Sequence, residues 1–501
     1  MADGWGAAPH SGGLKSYSRK HISDQRAFWR EHAETYLRCA FPKASCAGGL
    51  SAGQLKWLGR TGAMSGLAAL YAPDIALGTV QSLAFIAFAL IILYRFLLVL
   101  IGAAGRGRPT SPDLKGRDTS DRLWPKYTLL VPVFREPAAV SNLITALERI
   151  DYPVSQLEVF ILLEACDGET LNALNACALK PHFQILQVPE GELRTKPRAL
   201  NYGLQQASGQ YVAVYDAEDA MHASQLKDAV RAFQASEELN RQPPLACVQA
   251  PLIPHNGGES WISGQFEVEY LVQFGLVVPA LCKLKLPVLL GGTSNHFRKS
   301  VLEDVGGWDP HNVTEDADLG LRLARHGYRV GAIAPPTYEE APIGVMPWVR
   351  QRSRWIKGFL QTACVFFRVS PARAMQEMGA LNYVSASLLL LSGIVSALVH
   401  GPLCLWLLAQ IIVPGWHAPE SAIALCVSGL SMHLLAGALI SSGGGVRRWL
   451  SILSAPAYWP LQTIAAGKAI WELKSAPYFW DKTDHGVTRA HLDPDMLVRA
   501  M

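Results

Sequence analysis

Val212-Ala213-Val214-Tyr215-Asp216-Ala217-Glu218-Asp219 runs an apolar strand pattern straight into three acids. In extended chain, residues i and i+2 point the same way, so Asp216 and Glu218 can share one cation. Their mutual repulsion at a strand end is relieved by Mg2+ or Mn2+, which binds through few carboxylates and leaves places for substrate phosphate oxygens. The competing reading is an acidic cap on the helical pattern Ser224–Ala235.

Working outward, residues 122–340 alternate short β-rich runs with amphipathic helices. The runs are Tyr127–Val133, Glu158–Leu163, Gln184–Val188, Gln210–Tyr215 and Leu245–Ala250; Ala138–Ile150 and Ser224–Ala235 read as helices. This predicts an α/β fold, a mostly parallel sheet covered on both faces. Ligands then sit at the carboxyl ends of the strands.

Several strand-end and helix-start residues therefore become candidates. Glu136 and Asp167 follow the first two strands and suit a nucleotide base or ribose; the competing readings are a surface turn, the simpler one for Glu136, and a turn or helix cap for Asp167. Lys196 and Arg198 open a helix, where phosphate oxygens are favoured, or form a solvated basic loop. Gly291-Gly292-Thr293-Ser294-Asn295 allows close backbone approach by a ligand, or is a buried turn. Thr314-Glu315-Asp316 offers a general base, or an N-cap with acids in the first turn. Gln351-Arg352-Ser353-Arg354-Trp355 combines cations and an aromatic ring, either as a diphosphate clamp with a sugar-stacking floor or as an interfacial anchor.

Charged residues make up 17% of the 501 and hydrophobic ones 50%, against about 25% charged in soluble domains. A folded domain joined to membrane segments is expected. The net charge of +4 is too small to imply nucleic acid as a partner. Nine cysteines without CxxC or zinc-type spacing suggest reduced, structural thiols.

Leu77–Gly105 is apolar enough to span a bilayer, with Arg95 its one formal charge. With Trp57–Tyr71 it predicts a hairpin whose two ends face the cytoplasm, since basic residues flank both. A second apolar region, Ala380–Val413, looks broken at Gly401-Pro402; Ser421–Ile440 is a third. Trp449–Leu473 reads as one or two interfacial helices, or as a further span. Phe28–Leu37 could form a short amphipathic helix with no evident role. The start of the chain lacks the apolar run of a secretory signal.

In their order along the chain, Asp167, Asp216-Ala217-Glu218, Thr314-Glu315-Asp316 and Gln351-Arg352-Ser353-Arg354-Trp355 closely resemble the membrane-integrated family 2 glycosyltransferases. That group includes the cellulose, chitin and hyaluronan synthases, and the likeness is greatest to bacterial β-glucan synthase relatives. The resemblance spans residues 122–490. It implies a GT-A-type domain inserted between transmembrane helices, with interfacial helices beside it. The divisions are then 1–56, a basic cytoplasmic segment; 57–105, a transmembrane hairpin; 106–340, the transferase domain; and 341–378, interfacial helices. Beyond them lie 379–442, transmembrane helices; 443–475, interfacial helices or a further span; and 476–501, the tail.

The resemblance also implies roles. Glu136, Asp167, Lys196 and Asp216 would hold a UDP-sugar, with Asp216 and Glu218 on Mg2+ or Mn2+. Asp316 would be the general base. Asn295, Glu315 and Trp355 would meet the acceptor glycan, and Gln351 and Arg354 the diphosphate and acceptor. Trp480-Asp481-Lys482-Thr483-Asp484-His485-Gly486 is similar to the family's gating loop, which places Lys482 and Thr483 over the donor. Two departures stand out: Asp-x-Glu replaces the usual Asp-x-Asp, and Cys166 replaces a frequent Asp.

The expected activity is inverting, with UDP-glucose as donor and a β-linked glucan made processively and passed across a bacterial inner membrane. The alternative is one sugar moved to a lipid or glycolipid. The implied partners are donor, growing glycan and bilayer, with room for an export partner or self-association. A transporter or scaffold with a degenerate catalytic domain would have lost these acids, and all are present.

Overall fold

The structure, a computed structural model, describes residues 22–105, 124–415, 417–442 and 444–481. Three helices come first: α1 (Ile22–Ala40), α2 (Ala52–Tyr71) and α3 (Pro73–Gly105). Ser51 and Gln54 form a reciprocal capping box that starts α2.

The α/β domain then runs β1 (Tyr127–Val133), α4 (Val140–Glu148), β2 (Leu157–Glu164), α5 (Gly168–Asn175), β3 (Phe183–Val188) and α6 (Lys196–Leu204). It continues β4 (Tyr211–Val214), β5 (Ala220–Met221), α7 (Gln225–Glu238), β6 (Leu245–Gln249), β7 (Leu252–Pro254) and α8 (Trp261–Val272). A π turn, Gln273–Val277, leads into α9 (Val278–Leu284). The domain closes with β8 (Asn295–Arg298), α10 (Lys299–Asp304), α11 (Glu315–Arg325), β9 (Arg329–Ala332) and β10 (Thr337–Glu339).

The main sheet has the order β3-β2-β1-β4-β8-β6-β9, and β5-β10-β7 form a small second sheet. In the main sheet only β8 runs antiparallel to its neighbours β4 and β6. Register pairs Val131 with Ile161 and Leu130 with Val214. Strands buried on both faces read as unbroken apolar runs, and here Leu130, Leu162 and Val214 fill one core while Leu129, Ile161 and Ala213 fill the other. The expected sheet is present, as is every expected strand. β8 was not expected: four residues with three polar side chains carry no alternation. It is held from within, by the 2.7 Å bond between His296 Nδ1 and Tyr127 Oη.

The remaining helices are α12 (Val345–Phe366), α13 (Pro371–Met378), α14 (Ala380–Ile412), α15 (Glu420–Ile440), α16 (Gly445–Leu453) and α17 (Ala455–Ser475). Among the described residues α3, α14 and α15 are long and apolar enough to cross a membrane. Of the expected hairpin, α3 meets that length and composition, while α2, with Lys56, Arg60 and four glycines, does not. Nor does α17, interrupted by Lys468 and Glu472.

The expected break at Gly401-Pro402 is also absent, because α14 runs through it. The Thr463 hydroxyl accepts from Gly401 N–H at 3.0 Å and donates to Ala397 O at 2.7 Å, rejoining the ladder that Pro402 disturbs.

Finally, α1 lies along α6. Asn201 donates to Ala33 O and Gln205 to Trp29 O, while Glu34 accepts from Leu193 N–H at 2.9 Å and faces Arg198 at 3.6 Å. The nine cysteines are unpaired.

Candidate active site

A cavity of about 620 Å³ opens at the carboxyl edge of the sheet. Glu136, Lys196, Asp216, Glu218, Glu315, Asp316, Gln351, Arg354 and Trp355 all line it. Residues as far apart in the chain as Glu136 and Trp355 thus share one hollow, to which the strand ends contribute as expected.

The end of β4 delivers the acids. Asp219 is buried and turns back to accept from Asp216 N–H at 2.7 Å and from the Thr293 hydroxyl. Burial, with Asp216 and Glu218 beside it, pushes its pKa up, so Asp219 shapes the turn that presents the other two.

Lys196, first residue of α6, pairs its ammonium with Asp216 and donates to Gly292 O at 2.7 Å. Burial opposes its charge, yet Asp216 and Glu315 hold its pKa above the ordinary lysine value. A methyl group on Gly292 would lie 3.4 Å from Asp316 Oδ2 and 3.8 Å from Lys196 Nζ. The paired glycines therefore leave the space around which Lys196, Asp216 and Asp316 converge.

Thr314 stands at the start of α11, and Asp316 Oδ1 accepts from Ala317 N–H at 2.8 Å. Burial raises the Asp316 pKa, while Lys196 and Arg354 pull it back. Glu315 is raised to about 8, by burial first and Asp316 second. Arg354, on α12, donates to Val313 O at 3.3 Å, and its guanidinium lies 4.5 Å from the Trp480 ring centre. The Gln351 Oε1 is buried in the cavity wall and has no hydrogen-bond partner among the described residues. Trp355 packs against Tyr270 and under Arg352.

Two expected site residues lie elsewhere. Asp167 does not line the cavity; its carboxylate accepts from Arg135 N–H at 2.5 Å and Thr170 N–H at 3.1 Å. It caps α5 and fixes the loop carrying Glu136. Asn295 is buried on β8 and donates to Gly291 O at 2.5 Å, shaping the glycine turn rather than facing the cavity. Lys482 and Thr483 lie outside the described residues.

Sequence reasoning missed Glu339. It lines the cavity from β10, and burial followed by Glu218 and Asp216 raises its pKa to about 8. The acidic pair closing Thr337-Tyr338-Glu339-Glu340 was the available signal. It also missed how the tail is tied down: Lys357 donates to Phe479 O at 3.0 Å, and Lys468 pairs with Asp481 at 2.9 Å.

Asp216 and Glu218 offer hard oxygen donors that suit Mg2+ or Mn2+. Among the described residues no group of three His, Cys, Asp or Glu is placed to hold a metal. Two carboxylates alone would leave most of such an ion's shell to other oxygens.

A parallel sheet with one antiparallel strand, acids at its carboxyl edge and flanking apolar helices defines a GT-A-type domain joined to helices long and apolar enough to cross a membrane. Family models described as glycosyl transferase family group 2 and glycosyl transferase family 2 match residues 211–457 and 128–249. The chain belongs to the family 2 glycosyltransferases. It is 24% identical over 261 residues to a probable glycosyltransferase, YdaM, of Bacillus subtilis, covering 51% of this chain and 61% of that one. It is 26% identical over 265 residues to a β-monoglucosyldiacylglycerol synthase of Synechocystis, covering 52% and 53%. It is 26% identical over 277 residues to the cellulose synthase catalytic subunit of Xanthomonas axonopodis, covering 54% and 36%. The matches thus span between about a third and three-fifths of these relatives' lengths. A solved mannosyltransferase of Pyrobaculum calidifontis, in complex with GDP-Man and Mn2+, superposes with a TM-score of 0.49 at 20% identity, covering 78% of this chain and 98% of that one.

Proposed function

We propose that this chain transfers a sugar from a UDP-sugar, with UDP-glucose the first donor to test, to a hydroxyl of a membrane lipid, inverting the anomeric centre. One observation carries the choice of acceptor. The cavity holding Lys196, Asp216 and Asp316 continues between α3, α14 and α15, where Phe88, Ile91, Leu389, Leu425 and Met432 make its wall. Such a wall suits acyl chains better than a sugar polymer, which needs hydrogen-bonding partners.

In the proposed reaction Asp316 takes the proton of the acceptor hydroxyl. The hydroxyl oxygen forms a bond to the anomeric carbon from the face opposite the diphosphate. The bond from that carbon to the β-phosphate oxygen breaks, and UDP leaves with the electron pair. Lys196 and Arg354 face the negative charge that builds on the leaving group, the term expected to contribute most. Asp216 and Glu218 would hold a divalent cation, which when bound adds further charge neutralisation there. The proposed setting is a bacterial inner membrane with the domain on its cytoplasmic side.

A second reading, a β-linked glucan, is favoured by Trp355, Trp459 and Trp480, which line the same cavity and offer faces for sugar rings. The purified chain in lipid nanodiscs, given labelled UDP-glucose, separates the two. Label extracted into organic solvent supports lipid transfer; insoluble label released by a linkage-specific β-glucanase supports the polymer. No transfer from any UDP-sugar overturns both.

A further inference from the structure

We propose that the membrane end of the cavity binds a phosphate-bearing lipid, its phosphate paired with Arg95. The argument starts from helix periodicity. On α3, Phe88, Ile91, Leu98, Val99 and Gly102 are buried, while Leu90, Leu93, Leu97 and Leu100 are exposed. Arg95 falls on the buried stripe by the three- and four-residue spacing, and it lines the cavity. A charge in a membrane helix is costly and characteristically faces a functional interior.

Among the described residues Arg95 has no ion-pair or hydrogen-bond partner. Glu269 is the carboxylate near enough to act on it. That carboxylate is already taken by Arg352, by Tyr458 Oη at 3.1 Å and by Gln462 Nε2 at 3.3 Å. His433, across the cavity on α15, is occupied at 3.1 Å from Ile452 O. Glu269 therefore faces two guanidiniums, Arg352 in direct contact and Arg95 at longer range. Asp216, Glu218, Glu315, Asp316 and Glu339, further acids of the cavity, belong to its sheet end.

Depth identifies the anion. The 33 residues of α3 extend about 50 Å, against roughly 30 Å of hydrocarbon. The end nearest the α/β domain is locked to it: a methyl on Gly102 would lie 2.2 Å from Leu276 O. Arg95, two turns before Gly102, therefore falls near the level where lipid phosphates meet acyl chains on the domain's side. Ile92, Leu403, Leu425 and Met432 then supply the apolar wall. A guanidinium matches phosphate with two parallel hydrogen bonds.

The ligand's role as acceptor rests on the lipid reading above; its binding does not require turnover. The test uses the full chain in neutral detergent, with UDP present to keep free phosphate out of the Lys196 pocket. Thermal unfolding is titrated with dioleoyl phosphatidylglycerol, dioleoylglycerol and inorganic phosphate. Phosphatidylglycerol should bind at least about tenfold more tightly than the other two, and Arg95→Gln should weaken it about tenfold while Arg95→Lys retains most binding. Equal binding of phosphatidylglycerol and dioleoylglycerol to the wild-type chain overturns the proposal without any variant, as does Arg95→Gln binding within twofold of wild type. Binding without label transfer would instead sink the lipid-acceptor reading and leave this site standing.

Discussion

Asp316 and Glu315 are adjacent carboxyls in the cavity wall for which different behaviour is expected. Asp316→Asn should remove turnover by a factor of about a hundred or more and leave UDP affinity, read by calorimetry, within twofold; near-normal turnover would remove Asp316 from the role of base. Glu315, held at about 8 against an ordinary 4.5, keeps a proton in the folded chain that the unfolded chain loses. Rising pH from about 4.5 to about 8 therefore disfavours folding through this group, and its contribution is least favourable above 8. Glu315→Gln should gain in Tm relative to wild type at pH 8 compared with pH 4.5; a pH-independent difference would show that Glu315 titrates in the folded chain as it does in the unfolded one. At this scale the convergence of Asp216, Lys196 and Asp316 on one hollow was legible, because strand ends and helix starts point side chains toward one edge; Arg354, in the middle of α12, was placed there by the family resemblance alone. Asp167 and Asn295 sit outside the cavity lining, a placement not legible beforehand: residue type at a strand end does not reveal whether nearby backbone groups already engage the side chain.

Elements place those residues by close contact. A methyl on Gly358 of α12 would lie 2.3 Å from Thr314 Oγ1, so α12 reaches the start of α11 only because position 358 is bare. Gly358→Val should push Arg354 away from Asp316 and destabilise the chain by about 1–3 kcal/mol, read as a lower Tm with lost transfer. On the opposite side, Glu34 of α1 holds Leu193 and faces Arg198, beside the loop leading to Lys196. Glu34→Ala should raise the donor KM about tenfold with a smaller change in kcat; an unchanged KM would make α1 packing alone. The positions of β1, β2, β3, β4 and β6 were readable from apolar runs within a residue or two, whereas the short strands β5, β7, β8, β9 and β10 were not. The continuity of α14 was not, since its repair comes from Thr463, sixty residues further on.

For the molecule as a whole, periodicity predicted a sheet domain and membrane helices separately, but not that one hollow runs from one into the other. That hollow needs α3, α12, α14 and α15 packed together, and long-range packing leaves no local mark in a sequence. Removing divalent ions with a chelator should stop transfer and adding Mn2+ restore it, measured as label incorporated; transfer unaffected by chelation would exclude a metal role for Asp216 and Glu218.

The Lys196–Asp216 pair carries its own kinetic signature. An ammonium already seated on that carboxylate leaves the resting protein a poor chelator, so a bare cation gains little by arriving alone. Donor and ion should enter together as a chelate whose phosphates draw the lysine aside. Initial-rate patterns should then be ordered, with the chelate first and the acceptor second.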